Sequence, residues 1–177
     1  MSMSGSMSGS MSGSTSESTS TPEAMPESTS ESTSGSESRS MSGSGEPPLP
    51  LRLALVVGSV REGRQGRAVA DWFAGVAAAD AGFALDVIDL ADVRLPLVMP
   101  GWGGTPSDEA VAALADISPR LAEADAFVVV TPEYNHSFPA ALKNVIDWHH
   151  AQWQAKPVGF VSYGGLGGGL RAVEQLR

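Results

Sequence analysis

The sequence predicts a doubly wound α/β domain on a parallel sheet, from about residue 48 to residue 177. Strand-like and helix-like patterns alternate from Leu51 onward. The strands read as short continuous apolar runs, the pattern of a sheet covered on both faces. Turns rich in Gly, Ser, Arg or aromatic residues follow the first, third and fourth strands, and open sheets of this class hold ligands at that end.

Residues 1–46 have another composition. They are almost entirely Ser, Gly, Thr, Met and Glu, in a stuttering Met-Ser-Gly-Ser pattern, with no Val, Ile, Leu or aromatic residue. Such a segment buries too little apolar surface to offset the entropy of ordering, so a disordered tail is expected. It holds six Glu and one Arg, leaving ten basic and fourteen acidic residues in the other 131. A net charge of −4 there argues against a nucleic-acid surface. The tail lacks the basic start and apolar centre of a secretory signal, and no apolar run approaches the roughly 18 residues of a membrane span. The chain has no cysteine, which excludes disulfides, thiolate metal sites and a Cys nucleophile and fits a cytoplasmic location.

The elements follow in order. Leu51 to Val57 is an apolar strand ending at Gly58. Arg67 to Ala79 carries Val69, Trp72, Phe73, Val76 and Ala77 at helical spacing, and the run ends at Gly82. Phe83 to Leu90 reads as the second strand, and Arg94 to Pro106 as a loop rich in Pro, Gly and Trp. Ser107, Asp108 and Glu109 cap the next helix, with a kink or restart expected at Ser118–Pro119. Ala126 to Val130 is the third strand, Pro139 to Trp148 the third helix, Pro157 to Tyr163 the fourth strand, and a last helix begins near Leu166. That helix needs a further strand to return to. The expectation is therefore a sheet of order 2-1-3-4, lacking its fifth strand, in a domain truncated at its C-terminus.

The turn after the first strand, Gly58 to Arg67 (GSVREGRQGR), has the makings of a phosphate cradle. Ser59 supplies a hydroxyl, glycines including Gly66 let backbone amides approach, and a helix N-terminus faces the loop. Arg61, Arg64 and Arg67 add forked cationic donors, although a solvated helix start often carries basic residues. The spacing of Gly58, Gly63 and Arg64 mimics a P-loop but lacks its Lys and its Ser or Thr, which disfavours a nucleotide triphosphatase.

The turn after the third strand, Thr131 to Asp147 (TPEYNHSFPAALKNVID), is the most specific stretch. Pro132 and Tyr134 offer a rigid flat surface, while Glu133 and Asn135 offer hydrogen bonds to the edge of a planar heterocycle. Ser162, Tyr163, Gly164 and Gly165 open a third turn, whose glycines allow close approach by a flat ligand or tight helix packing. In a 2-1-3-4-5 order the first and third strands flank the switch point, so one site can take a phosphate at the first turn and an aromatic ring between the others. Lys143 and Asn144 read as structural residues at a helix–loop contact. His136 either faces the substrate or caps its turn. The adjacent His149 and His150 diverge on a helix and lack metal-ligand spacing.

Together these motifs resemble the NADPH-dependent FMN reductase family, with its quinone, azo-dye and chromate reductase relatives, over about residues 53–177. The resemblance implies a flavodoxin-like fold and an oxidoreductase that passes hydride from NADPH or NADH through FMN to a small-molecule acceptor. It implies Ser59 and Arg61 at the phosphate, with Arg64, Gly66 and Arg67 around them. Pro132, Glu133, Tyr134 and Asn135 would lie along the flavin, with Ser162, Tyr163, Gly164 and Gly165 opposite. No side-chain acid, base, nucleophile or metal is required, because the flavin carries the chemistry. Relatives commonly form dimers or tetramers. A flavodoxin-type electron carrier and an inactive fragment are the alternative readings.

Overall fold

The computed structural model describes residues 49–177, so the expectation of a disordered tail over 1–46 lies outside the described residues. Four strands, β1 (Leu51–Val57), β2 (Phe83–Asp89), β3 (Ala126–Pro132) and β4 (Val158–Tyr163), form one parallel sheet of order β2-β1-β3-β4. The helices between and after them are α1 (Gly66–Ala77), α2 (Asp108–Glu123), α3 (Ala140–Trp148) and α4 (Leu170–Leu176), with a 3₁₀ turn at Ala151–Trp153. This is the flavodoxin-like doubly wound arrangement over the strands present.

Alternation along the strands sorts the core into two layers. Ala54 and Val56 of β1 share one face with Ile88, Phe127 and Val129, packed under Ile117, Leu121, Leu142 and Val145 from α2 and α3. Leu55 and Val57 share the other with Val130, under Ala70, Val69 and Phe73 of α1. β1 is buried from Leu53 to Val57, as a strand covered on both faces requires.

Three local expectations are corrected. α2 is one helix through Pro119, so of the kink or restart expected at Ser118–Pro119 the restart does not occur. Pro119 and Ala115, whose carbonyl the proline cannot satisfy, both lie on the exposed side, where water meets the lost bond. β3 extends two residues further than expected, to Pro132. Pro132 stands two residues beyond the last β1–β3 pair, Val57 with Val130, so its missing N–H breaks no bond between those strands. α4 starts at Leu170 rather than near Leu166, because Gly168 and Gly169 take φ of 57° and 88°, outside the helical region.

Ser107 caps α2 by accepting from the Ala110 amide at 3.3 Å, with Asp108 and Glu109 in the first turn. The loop after β2 is tied to α3: Asn144 Nδ2 donates to the Leu95 carbonyl at 3.0 Å, and Trp148 Nε1 to that of Pro96 at 2.9 Å. Asn144 thus has the structural role expected of it.

Candidate functional site

The C-terminal ends of β1, β3 and β4 open on a cleft of about 310 Å³, lined among others by Ser59, Arg61, Arg64, Pro132, Tyr134 and Tyr163. β1 and β3 are neighbours whose connections leave in opposite directions along the sheet, so the cleft lies at its switch point.

The first turn is pinned at both ends. The Gly58 amide donates to the Val130 carbonyl at 2.8 Å, and a Cβ at Gly58 would stand 3.2 Å from that oxygen. Ser59 is fully buried, and its Oγ shares a 2.8 Å hydrogen bond with Tyr134 Oη. Arg64 donates to the Ser59 carbonyl at 2.9 Å and to both carboxylate oxygens of Asp89, at 2.5 and 2.8 Å. The Asp89 hydrogen bonds raise the Arg64 pKa further, so its charge is permanent. Arg67 pairs with Asp71 at 2.8 Å and lies 3.8 Å from Asp89. Arg61 is exposed and has no ion-pair partner among the described residues. Of the three arginines, Arg61 has no ion pair among the described residues, Arg64 borders the cleft while braced by Asp89, and Arg67 pairs with Asp71 of its own helix.

Gly66 opens α1, whose first turn has no acidic residue and no side-chain cap. A Cβ there would stand 2.6 Å from Tyr163 Oη and 3.4 Å from Ser59 Cβ, so a larger residue would require the phenol to shift. Tyr163 Oη is buried against Ser59, close enough to feel its hydroxyl but without a well-formed hydrogen bond. Burial pushes its pKa up, against a smaller opposing pull from Ser59, so the hydroxyl stays protonated at neutral pH.

The second turn is a tight reversal. The Tyr134 amide donates to the Ser137 carbonyl at 2.8 Å, the Ser137 amide to the Tyr134 carbonyl at 3.0 Å, and Asn135 and His136 take φ of 48° and 65°. Two left-handed central residues mark a primed turn, in which Asn is among the favoured side chains. Asn135 and His136 sit exposed at its tip. The Glu133 carboxylate points to α4, accepting from the Arg171 amide at 3.1 Å and from its Nη1 at 2.9 Å. These Arg171 contacts hold the Glu133 pKa below the usual carboxylate range. Gln175 Nε2 donates to the His136 carbonyl at 3.0 Å, and Ser137 Oγ bonds to its Oε1.

In the third turn Ser162 Oγ donates to the Gly168 carbonyl at 2.9 Å, bonding within its own turn. A Cβ at Gly169 would meet that of Ser162 at 2.5 Å, which with φ of 88° explains the glycine. Gly164 and Gly165 are exposed and line a second recess with Glu133, His136 and Arg171.

The fold therefore brings Ser59, Arg61, Arg64, Pro132, Tyr134 and Tyr163 together at one cleft, with Gly66 buried behind Ser59 and Tyr163. It sends the side chains of Glu133 and Ser162 into contacts that hold the turns, and keeps Gly164 and Gly165 at the neighbouring recess. Sequence reasoning missed Asp89, Arg171 and Gln175. Asp89, an acid closing an apolar strand, was the one available signal; the other two depend on how α4 docks. The paired histidines diverge as expected: His149 is buried between Ser118 Oγ at 3.0 Å and the Val145 carbonyl at 2.9 Å, while His150 is exposed beside Gln154.

Residues 51–177 match the family model of NADPH-dependent FMN reductase. An NAD(P)H-dependent FMN reductase of Schizosaccharomyces pombe is 36% identical over 125 residues, covering 67% of this chain and 60% of the relative. A 2-hydroxy-1,4-benzoquinone reductase of Burkholderia sp is 36% identical over 105 residues, 59% of this chain and 53% of that protein. Among solved structures, a flavoenzyme NAD(P)H:(acceptor) oxidoreductase from Paracoccus denitrificans superposes with a TM-score of 0.57 at 25% identity, covering 71% of this chain and 68% of the other. The chain belongs to the NADPH-dependent FMN reductase family. It spans less than two thirds of the length of those two curated relatives.

Proposed function

We propose that this protein binds FMN at the switch-point cleft and passes hydride from NADPH or NADH to a small electron acceptor such as a quinone, an azo compound or a flavin. The observation that carries the reading is the convergence on one cleft of a phosphate-suited cradle and a flat, hydroxyl-bearing wall. Ser59, the uncommitted Arg61 and the uncapped start of α1 form the cradle; Pro132 and Tyr134 form the wall. A phosphate monoester is a doubly charged acceptor, and this donor set suits it in charge and type.

FMN, when bound, supplies the two-electron chemistry. The protein's part is to hold and orient. Ser59 is fixed by its bond to Tyr134, so phosphate and ring ends of the site are built as one unit. Arg64, braced by Asp89, fixes the carbonyl of Ser59 and with it the shape of the loop. Glu133 and Gln175 clamp the second turn to α4, which also carries the glycine turn. Asn135 and the backbone amides of these turns supply donors to the ring edge, with Gly164 and Gly165 opposite.

Leu97, Val98 and Trp102 stand exposed on the loop after β2, and Leu97 shares a recess with Phe138, Ala140 and Asn144 at the start of α3. Exposed apolar side chains on one loop support association into a homodimer or homotetramer. The described residues contain no helix long and apolar enough to cross a membrane, and we assign the protein to the cytoplasm. Activity is tested by following NADPH oxidation with added FMN and a benzoquinone. Turnover that requires both supports the reading; flavin binding without NADPH or NADH oxidation points instead to an electron carrier.

A further inference from the structure

We infer that the chain carries a second ligand site, on the α3 side of the first turn, for a neutral phenolic molecule whose hydroxyl donates to Asn144 Oδ1. The inference goes beyond the FMN reading above and does not rest on it.

The site is a recess of about 380 Å³, lined among others by Val60, Leu90, Val93, Leu97, Ala140 and Asn144. It has no lining residue in common with the switch-point cleft. Val60 lines the recess while its neighbours Ser59 and Arg61 line the cleft, so the first turn is the wall between the two. The volume is that of a small-ligand pocket. No charged residue lines it, and Asn144 is its one polar side chain. An ion would lose water there and meet no counter-charge, so the recess suits a neutral, largely apolar occupant.

Asn144 decides where the occupant's polar group goes. Its Nδ2 donates to the carbonyls of Leu95 at 3.0 Å and Pro96 at 3.3 Å. Both partners only accept, which fixes the orientation of the amide. Trp148 Nε1 donates to the same Pro96 carbonyl, so the loop that holds the amide is itself held. Oδ1 is left without a partner among the described residues, and it is open to solvent rather than sealed in the core. A fixed acceptor on an apolar wall selects a ligand with one donor. A phenol meets both requirements, since its ring covers the aliphatic lining and its O–H is a stronger donor than that of an aliphatic alcohol.

The test is a titration of the isotope-labelled chain with 2-naphthol and with 2-methoxynaphthalene, which replaces the hydroxyl by an ether, followed by amide NMR. The expected result is that 2-naphthol shifts the Asn144 side-chain amide and the backbone amides of Val60 and Leu97. The ether, which leaves Oδ1 unpaired, should bind about fivefold more weakly or worse. Added FMN should leave the 2-naphthol titration unchanged. Equal affinity for the two probes, shifts centred on Ser59 and Tyr134, or no shifts at all would overturn the assignment. Ala140→Trp, at an exposed position on the recess wall, should fill the recess and abolish 2-naphthol binding without altering FMN titration. Retained 2-naphthol binding in that variant, with its fold verified by a thermal melt, also counts against the site. If Ala140→Trp does not fold, Leu97→Glu places a charge on the same wall from an exposed loop position and should weaken both probes; unchanged binding there has the same meaning. A chain that takes 2-naphthol in the recess but no FMN would uphold this site and overturn the FMN reading.

Discussion

Arg64 grips Asp89 with both terminal nitrogens, at 2.5 and 2.8 Å, while one of them also donates to the Ser59 carbonyl at 2.9 Å. A residue at the end of β2 thereby fixes the loop that follows β1. Asp89 is 7% exposed and is also bonded at 3.1 Å by the Ala91 amide, so its carboxylate is an anchor rather than a surface charge.

Replacing Asp89 by Asn should therefore loosen the loop and the fold together. Arg64 would be left partly buried with no full counter-charge, a cost between that of an exposed pair and a fully buried one, about 1.5–3 kcal/mol. Thermal unfolding should show the midpoint falling by roughly 5–10 °C. A shift under about 1 °C would mean that the pair fastens nothing.

Arg61→Ala should behave in the opposite way. Its side chain is exposed and makes no ion pair with the described residues, so the melting temperature should hold. FMN binding should weaken by about 1.5–3 kcal/mol, the worth of a charge-assisted contact. An unchanged FMN titration removes Arg61 from the phosphate site.

Glu133 supports two turns through one carboxylate. Glu133→Gln should free the start of α4, and hydrogen exchange at the Arg171 amide should accelerate relative to wild type. Flavin affinity should fall for FMN and riboflavin alike, because the turn shapes suffer rather than one phosphate contact. Unaltered exchange at Arg171 would show that Glu133 is not its cap.

His149 makes stability depend on pH. Burial pushes its pKa below 6.5, so the folded chain favours the neutral ring while the unfolded chain takes up a proton near 6.5. Its contribution is complete above about pH 6.5 and is lost as pH falls towards the depressed folded value. Melting temperatures from pH 7.5 to 5.5 should drop in wild type and drop less in His149→Gln. Parallel curves for the two proteins would remove His149 as the source.

Much of the fold was legible because alternation and apolar runs report burial directly. Leu51–Val57 could be read as a strand covered on both faces, and Ser107 as a cap. The restart read from Pro119 does not occur because a proline's cost depends on what its i−4 carbonyl meets, which no local pattern records. The site was legible in its turns but not in its partners. Ser59, Pro132 and Tyr134 are adjacent to strand ends and could be placed from the sequence. The capture of Arg64 by Asp89, and of Glu133 by Arg171, depends on side chains 25 and 38 residues apart and emerges only once the sheet is assembled.

Binding of FMN and its turnover with NADPH or NADH is the function we propose for this chain. Its most direct test is the visible absorbance spectrum of the purified protein, before and after added FMN and desalting, followed by NADPH. The expected result is a retained flavin spectrum at close to one FMN per chain, bleached by NADPH and restored by a benzoquinone. A protein that emerges colourless after FMN addition, with its fold intact by circular dichroism, would contradict it.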